Sequence, residues 1–354
     1  MTRVLVTGGA GFVGSHVVDA LVAAGDEVRV IDLLHPAAHR DEPDYLNPAA
    51  EYRWGDIADP HVAGDAVDGV DAVCHQAAMV GLGVDFGDAP AYASHNDLGT
   101  AVLLERLHRR RFRGRVVLAS SMVVYGEGRY RCAEHGIVRP GPREPARLAA
   151  GQWDPVCPCC HRTLTAEAVP EDAAVDPRSV YAATKLHQEH LCAAFGREHE
   201  VPVTSLRYHN VYGARMPCDT PYAGVASIFR SALEAARPPR VFEDGGQRRD
   251  FVHVRDVALA NVRALHAPEP VVGALNVASG NAHSILEMAE ALAGAFGVGA
   301  PSPEVVGGSR PSDARHMFAS TEAARERLGF SAVMGFEEGM SGFARAPLRA
   351  PPAG

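Results

Sequence analysis

No stretch of this chain is an uninterrupted apolar run long enough to cross a bilayer. The first residues lack the charged region, apolar core and cleavage site of a secretory signal. Both absences lead to the expectation of a cytoplasmic protein with no membrane partner. Positive charge is short as well. Lys and Arg number 34 against 43 Asp and Glu, a net charge of −9 with His neutral. That balance leaves no surplus of cations to neutralise phosphates, so no nucleic-acid partner is expected. The cluster His108, Arg109, Arg110, Arg111 reads as a solvated helix C-terminus, where the dipole favours cations. Cysteine is sparse, with seven in 354 residues. These read as thiols or metal ligands rather than a disulfide framework.

What is present is organised around residues 4–16. An apolar strand runs into Gly8, Gly9, Ala10, Gly11, Phe12, Val13 and Gly14, and then into a helix expected over 15–24. Gly9, Gly11 and Gly14 fit the G-x-G-x-x-G dinucleotide fingerprint. Its glycines permit the tight turn, the approach of a pyrophosphate and close helix–strand packing. The helix N-terminus offers N–H groups and a positive dipole end to phosphates. A second strand over 27–31 ends in Asp32. An acid there binds both ribose hydroxyls and repels a 2′-phosphate, which favours NAD over NADP.

Strands and helical patterns alternate onward, as in a parallel sheet with helices on both faces. Strands are expected over 52–54, 70–75, 115–119 and 203–208, and helices over 96–109, 180–196, 256–266 and 284–296. Ser284 with Glu287 reads as a capping box. Short strands at 241–242 and 251–254 would border a ligand cleft. Periodicity stops at 127, where Pro, Gly, Arg and Cys abound, and this insertion is expected to be irregular. The expected fold class is therefore α/β, a Rossmann-type doubly wound parallel sheet with a smaller C-terminal α/β substrate-binding lobe. The dinucleotide domain would comprise 1–126 with 177–210 and 241–275, and the insertion 127–176. The lobe would comprise 211–240 with 276–345, and 346–354 would be a frayed tail.

Tyr181 and Lys185 stand four apart on a predicted helix and so share a face. A nearby ammonium lowers a phenol's pKa and makes it a usable base. Ser121, at the end of a central strand, could hydrogen-bond the same substrate oxygen. Gln76, Ala77 and Ala78 follow another strand end, where small residues admit a cofactor.

These features resemble the extended short-chain dehydrogenases/reductases of the nucleotide-sugar epimerase/dehydratase kind. The resemblance rests on the 8–14 turn; Asp32; Gly55, Asp56 and Ile57; Ala77 and Ala78; and Ser120 and Ser121 with Val124, Tyr125 and Gly126. It continues through Tyr181 with Lys185, the segments 207–213 and 249–254, and Asn276, Val277 and Gly280. It implies a catalytic trio of Ser121, Tyr181 and Lys185. It implies tightly bound NAD at Gly8, Gly11, Phe12, Val13, Gly14, Asp32, Leu33, Asp56, Ile57, Gln76, Ala77, Ala78, Tyr181, Lys185, Tyr208 and Val211. It implies substrate contacts at Ser121, Met122, Asn210, Val225, Val241, Phe242, Arg248 and Arg310. A homodimer through the helices at 96–109 and 180–196 is implied in the same way. The chemistry of the side chains agrees: the Asn210 amide suits hydroxyl or phosphate oxygens, and Arg248 suits a diphosphate. Arg248 and its neighbour Arg249 compete for the inward position, and Arg249 with Asp250 could form a structural ion pair.

Two departures narrow the reaction. The 4,6-dehydratases of this family carry an acidic pair after the catalytic Ser or Thr. Here Met122 and Val123 stand there, so dehydration is not expected. The insertion carries Cys132-x-x-His135 and Cys157-x-x-Cys160, two ligand pairs that could close a structural zinc site. Cys159 and His161 are spare candidates. The cysteine-bearing insertion, together with 125–130 and with 210–213 followed by Pro221 and Tyr222, most resembles the bacterial dTDP-L-rhamnose 4-epimerases. The expected function is NAD-dependent C4 epimerisation of a nucleotide sugar, with a dTDP-linked substrate favoured. An NAD(P)H-dependent 4-ketoreductase and a non-catalytic NAD-binding sensor are the alternatives.

Overall fold

The computed structural model describes residues 2–36, 38–81, 85–218, 224–309 and 313–349. Its centre is a seven-stranded parallel sheet. The strands are β1 (Arg3–Thr7), β2 (Glu27–Asp32), β3 (Glu51–Trp54), β4 (Ala72–His75), β5 (Arg115–Ser121), β6 (Val203–Tyr208) and β7 (Gly273–Val277). Their spatial order is β7-β6-β5-β4-β1-β2-β3. The direction of winding reverses between β1 and β4, where α/β folds open a ligand crevice at the strand carboxyl ends.

The sheet is legible from its period of two. Val4 and Val6 of β1 enter one core, and Leu5 enters the other. Val117 and Ala119 of β5 join the first core, and Val116 and Leu118 the second. Successive side chains point to opposite faces, so a strand covered on both sides must be apolar throughout. The helices α1 (Phe12–Ala23), α2 (Gly99–Arg109), α3 (Val180–His199) and α4 (Val254–His266) cover its faces, while α5 (Ile285–Phe296) packs in the core of the lobe. Val17, Val18 and Leu21 of α1 share a core with Val257, Ala260 and Ala264 of α4. Leu103 and Leu107 of α2 share the opposite one with Cys192 and Phe195 of α3.

The lobe holds two small sheets. Arg248–His253 pairs with Asn210–Tyr212, with His316–Met317 and, antiparallel, with Ala282–Ser284. Arg240–Phe242 pairs with Glu304–Gly307. The stretch 241–253, which the sequence groups with the dinucleotide domain, thus pairs outside the seven-stranded sheet. Only from α4 onward does the chain return to that sheet. Capping-box geometry opens α5 as expected: Ser284 Oγ accepts from Glu287 N at 3.0 Å, and Glu287 Oε2 accepts from Ser284 N at 2.7 Å.

Three expectations are corrected. The insertion is not irregular, because Arg129–Cys132, Gly136–Val138 and Thr165–Glu167 form an antiparallel sheet. Residues 346–349 are not frayed. Arg349 N donates to Met216 O at 2.9 Å, Cys218 N to Arg349 O at 3.1 Å and Arg215 N to Pro347 O at 2.9 Å, so the tail is zipped to a neighbouring segment. The helix expected from 96 begins with a π turn, Ala93–Leu98, ahead of α2. Among the described residues no helix is long and apolar enough to cross a membrane.

Ser284→Ala removes the side-chain acceptor for α5's first turn. It should lower unfolding stability by about 1 kcal/mol in chemical denaturation, with no loss of bound cofactor.

Candidate active site

The turn after β1 is shaped by contacts that exclude any side chain. Gly8 sits at φ +70°, and a Cβ there would lie 2.7 Å from Ala77 N. A Cβ on Gly14 would lie 2.1 Å from the Gly8 carbonyl oxygen. The loops after β1 and β4 therefore touch backbone to backbone, and α1 packs directly on the turn. No side chain caps the first turn of α1. At the tip of β2, Asp32 Oδ2 accepts from Ala10 N and Oδ1 from Leu34 N, both at 2.9 Å. Its carboxylate closes the glycine turn and keeps lone pairs for ribose hydroxyls. A glycine cradle, an uncapped helix start and a strand-end acid fit a dinucleotide without a 2′-phosphate.

A buried polar chain braces this cradle. Thr7 Oγ1 lies 2.6 Å from His75 Nδ1 and accepts from Ala77 N at 3.1 Å. His75 Nε2 lies 2.9 Å from Thr100 Oγ1, to which Gln188 of α3 also donates at 2.7 Å. Burial pushes His75 down to about 3, so it is neutral here. Asn96, in the π turn, accepts from Met79 N at 2.7 Å and donates to Met79 O at 3.0 Å and to Thr184 Oγ1 at 2.9 Å. It ties the loop after β4 to the helix that bears Tyr181. Sequence reasoning passed over Thr7, His75, Asn96 and Gln188. Their one signal was polarity at positions a period-two or helical pattern assigns to the core.

Ser179 starts α3 by accepting from Ala182 N at 3.1 Å. From the first two turns of this helix, Tyr181 and Lys185 project toward the end of β5. Ser121 lies there and caps the short 122–125 turn through Val123 N at 3.4 Å. Lys185 is 3% exposed, and its Nζ donates to Ala119 O at 2.9 Å. Burial pushes Lys185 down to about 8, partly offset by Glu189 and Asp97. Burial pushes Tyr181 up to about 12, and the Ser121 hydroxyl draws it back only in part. Desolvation is thus the larger influence on the phenol in this structure, where the Lys185 ammonium is directed at a carbonyl. Below the site, Glu189 Oε2 accepts from Arg207 Nη2 at 2.8 Å and Glu189 Oε1 accepts from Ser120 Oγ. That buried pair fixes β5, α3 and β6 relative to one another.

Other predicted contacts separate into groups. Gln76 Nε2 donates to Tyr208 Oη and to Asn261 Oδ1, both at 3.0 Å, so Tyr208's hydroxyl belongs to an internal network. Asp56 Oδ1 accepts from Ala58 N at 2.9 Å, and Ile57 is buried beside Gly99. Leu33 is exposed, Val13 and Val211 border the first core, and Phe12 and Val225 border the lobe's core. Val241 is wholly buried in that core, and its neighbour Phe242 is half-buried, at an irregularity in the pairing of this strand. Met122 packs beside Val124 and Tyr125. Asn210 Oδ1 is buried without a partner, as an atom awaiting a ligand would be.

Arg249 is the buried arginine, bound to Asp313 Oδ1 at 2.7 Å, while Asp250 accepts from Ser279 and Gly280. The two are not an ion pair. Arg248 is exposed, lies 4.7 Å over the Phe318 ring and makes no side-chain hydrogen bond among the described residues. Arg310 lies outside the described residues.

In the insertion, ligand atoms of Cys132, His135, Cys157 and Cys160 all lie within 4.8 Å of one another. Cys132 Sγ is 3.5 Å from His135 Nδ1 and 3.6 Å from Cys160 Sγ, and Cys157 Sγ is 3.6 Å from His135 Nδ1. A tetrahedral ion with bonds of about 2.3 Å to sulfur and about 2.0 Å to nitrogen spaces its ligands at roughly these distances. Glu134 N and Cys159 N each donate to a quartet sulfur at 3.4 Å, which stabilises thiolate. Cys159 and His161 stay outside the quartet.

A doubly wound sheet with a glycine cradle and a Ser-Tyr-Lys trio at its carboxyl edge defines an NAD-binding short-chain dehydrogenase/reductase fold. The model of the NAD dependent epimerase/dehydratase family matches residues 4–145 and 158–278, and the chain belongs to that family. It is 34% identical over 344 residues to dTDP-L-rhamnose 4-epimerase of Burkholderia thailandensis, covering 96% of this chain and 93% of that one. The structure superposes on UDP-glucose 4-epimerase of Thermus thermophilus in complex with NAD, with TM-score 0.77, 30% identity and 97% of both chains covered. It also superposes on the Thermotoga maritima UDP-glucose 4-epimerase with UDP-glucose, with TM-score 0.78, 26% identity and the same coverage.

Gly14→Ala would drive a methyl into the Gly8 carbonyl. The variant should purify without the nucleotide that heat or acid releases from wild type, as read by chromatography of the supernatant.

Proposed function

We propose that this enzyme inverts C4 of a nucleotide sugar through a 4-keto intermediate, with NAD retained, and that it converts dTDP-L-rhamnose to dTDP-6-deoxy-L-talose. The observation that carries the reading is the convergence of Ser121, Tyr181 and Lys185 beside Met122 and Val123. The trio serves proton movement at a sugar oxygen, and the two apolar neighbours offer no acid for dehydration. The Burkholderia thailandensis relative supports the sugar and the dTDP carrier.

NAD, when bound, supplies what side chains lack, a hydride sink and source for C4. The chain's residues do the rest. Tyr181 takes the O4 proton as the carbonyl forms and returns it as the carbonyl is reduced. Ser121 holds O4 by a hydrogen bond, and Lys185 favours the Tyr181 phenolate because it is still charged near neutral pH. Asn210 and Arg248 bind sugar and diphosphate oxygens, and Arg310 joins them. Asp32 holds the adenosine ribose. We also infer a homodimer through the α2 and α3 faces, a cytoplasmic location, and a structural Zn²⁺ held by Cys132, His135, Cys157 and Cys160. The 4-ketoreductase alternative uses the same trio and differs in having to exchange its cofactor at each turnover.

Incubation with dTDP-L-rhamnose and no added cofactor should yield the talose epimer by NMR. A protein that needs NADH or NADPH, and acts only on a 4-keto sugar, would support the reductase instead. Tyr181→Phe should lower kcat by about a thousandfold, the scale of losing a proton acceptor. In Lys185→Met the phenol loses a neighbouring cation and its pKa rises. The pH at half-maximal kcat should therefore move up, measured on protein still carrying NAD.

A further inference from the structure

The insertion has too small a core to hold its own shape. Its own buried apolar cluster is Tyr130, Cys132, Cys157 and Leu164, with Val138, Cys160 and Ala166 against it, and Val169 packs apart from it with Val124, Tyr125 and Met317. Yet it makes demanding contacts with the lobe. Its path into the small sheet is pinned where a Cβ on Gly128 would lie 2.0 Å from the His316 carbonyl oxygen. Two residues on, Tyr130 Oη donates to Glu127 Oε1 at 2.8 Å and accepts from His316 N at 3.1 Å. Glu127 Oε1 also accepts from Arg315 N at 2.9 Å. The strand that ends in Cys132 is thereby tied to the backbone of residues 315 and 316.

A network of charges makes the second tie. The Arg315 guanidinium, 3% exposed as a residue, donates to Asp154 of the insertion at 2.8 Å and to Glu243 at 2.9 Å. It also donates to both oxygens of Asp244, at 2.6 and 2.9 Å. Arg143 of the insertion donates to Glu243 Oε1 and to Asp313 O, both at 2.6 Å. Arg143, Glu243 and Arg315 are buried, and buried charges repay their desolvation only in well-fixed geometry, while Asp154 and Asp244 complete the network from half-exposed positions. The lobe side is held by its sheets. On the insertion side, Asp154 lies three residues before Cys157, and Tyr130 two before Cys132.

What this network holds is the wall of the proposed diphosphate site. His316 pairs with Arg248 in the small sheet, and Arg248 N donates to Arg315 O at 3.2 Å and to His316 Nδ1 at 3.2 Å. Glu243, which anchors both arginines, directly follows Phe242. We propose that the metal-locked insertion is a positioning clamp for the nucleotide-diphosphate site. The Cys132–His135–Cys157–Cys160 centre makes one jaw rigid, and Tyr130, Asp154 and Arg315 transmit that rigidity to Arg248. The proposal rests on the zinc and sugar-nucleotide readings above. Tyr130 and Arg315 are positioning residues, and neither takes part in the movement of protons at O4.

The test separates these readings by using dTDP alone, which needs no knowledge of the sugar. On NAD-loaded protein, metal content and the sulfur-to-cobalt charge-transfer absorption of a Co²⁺-exchanged sample report on the metal centre. Calorimetry with dTDP reports on the diphosphate site, and released nucleotide reports on the NAD site. Tyr130→Phe keeps the ring and all four metal ligands. It should keep full metal and NAD content yet weaken dTDP binding by about tenfold, the scale of one charge-assisted hydrogen bond. Chelator-stripped wild type should show the same loss, reversed by Zn²⁺, with NAD content unchanged. Wild-type dTDP affinity in Tyr130→Phe overturns the clamp, whatever the metal does. Unchanged affinity in stripped protein overturns the metal's part in it. A wild type without stoichiometric metal or a Co²⁺ band overturns the zinc reading separately, because the Tyr130→Phe comparison still stands.

Discussion

The backbone contact at the reversal of the sheet governs the rest of the site. The loops leaving β1 and β4 meet at Gly8 and Ala77, and α1 meets the same turn at Gly14. No side chain fits at either glycine, so a phosphate-bearing ligand can approach the backbone itself. Everything nearby preserves that contact. Thr7 and His75 cross-link the two strand ends, Thr100 and Gln188 extend the link into α2 and α3, and Asp32 closes the turn from β2. Tyr181 and Lys185 lie on the helix that this polar chain positions. The catalytic geometry and the cofactor cradle are therefore one construction.

Within it the electrostatics are set by burial more than by neighbouring charge. Lys185, near 8, and Tyr181, near 12, are both displaced toward their neutral forms. Neutral forms are the ones a dry pocket favours. A phenol so held is a weak acid. In the proposed reaction Ser121 and the Lys185 ammonium would matter most while charge is developing, which is where preorganised donors act with greatest effect.

The sheet was legible because its strands alternate between two cores, so apolar runs of Val, Leu and Ile could mean little else. The expected strand 203–208 coincides with β6, and the Ser284 cap stands as expected. The trio and the Cys/His quartet were legible because spacing four on a helix, or two across a knuckle, leaves few geometries. Other features depend on tertiary partners that no local pattern carries. Nothing around Asn96 announces a π turn that aims it at Met79. Nothing in a Pro/Ala-rich tail announces that Arg349 pairs with Met216 and Cys218. Arg248 and Arg249 are adjacent and alike, and only the segment beyond 312, with Asp313, decides which one is buried.

The insertion shows why this part of the chain is built by ligands and charges instead of by a core. It abuts the lobe where the proposed diphosphate wall lies, a surface crowded with Arg143, Arg248, Arg249 and Arg315 against Glu127, Asp154, Glu243 and Asp244. An apolar patch there would bury charged groups without partners. Strands alone would not suffice, since two of the insertion's three have only three residues and the third has four. On the zinc reading, a four-ligand centre would supply rigidity without apolar area in a loop where hydrophobic residues are few. The match to the family model leaves out 146–157, where Trp153, Asp154 and Cys157 lie. The match covers Tyr130, Cys132, His135, Arg143 and Cys160, so the proposed clamp is built largely on chain that the family model itself spans, and only its Asp154 and Cys157 fall in the unmatched stretch.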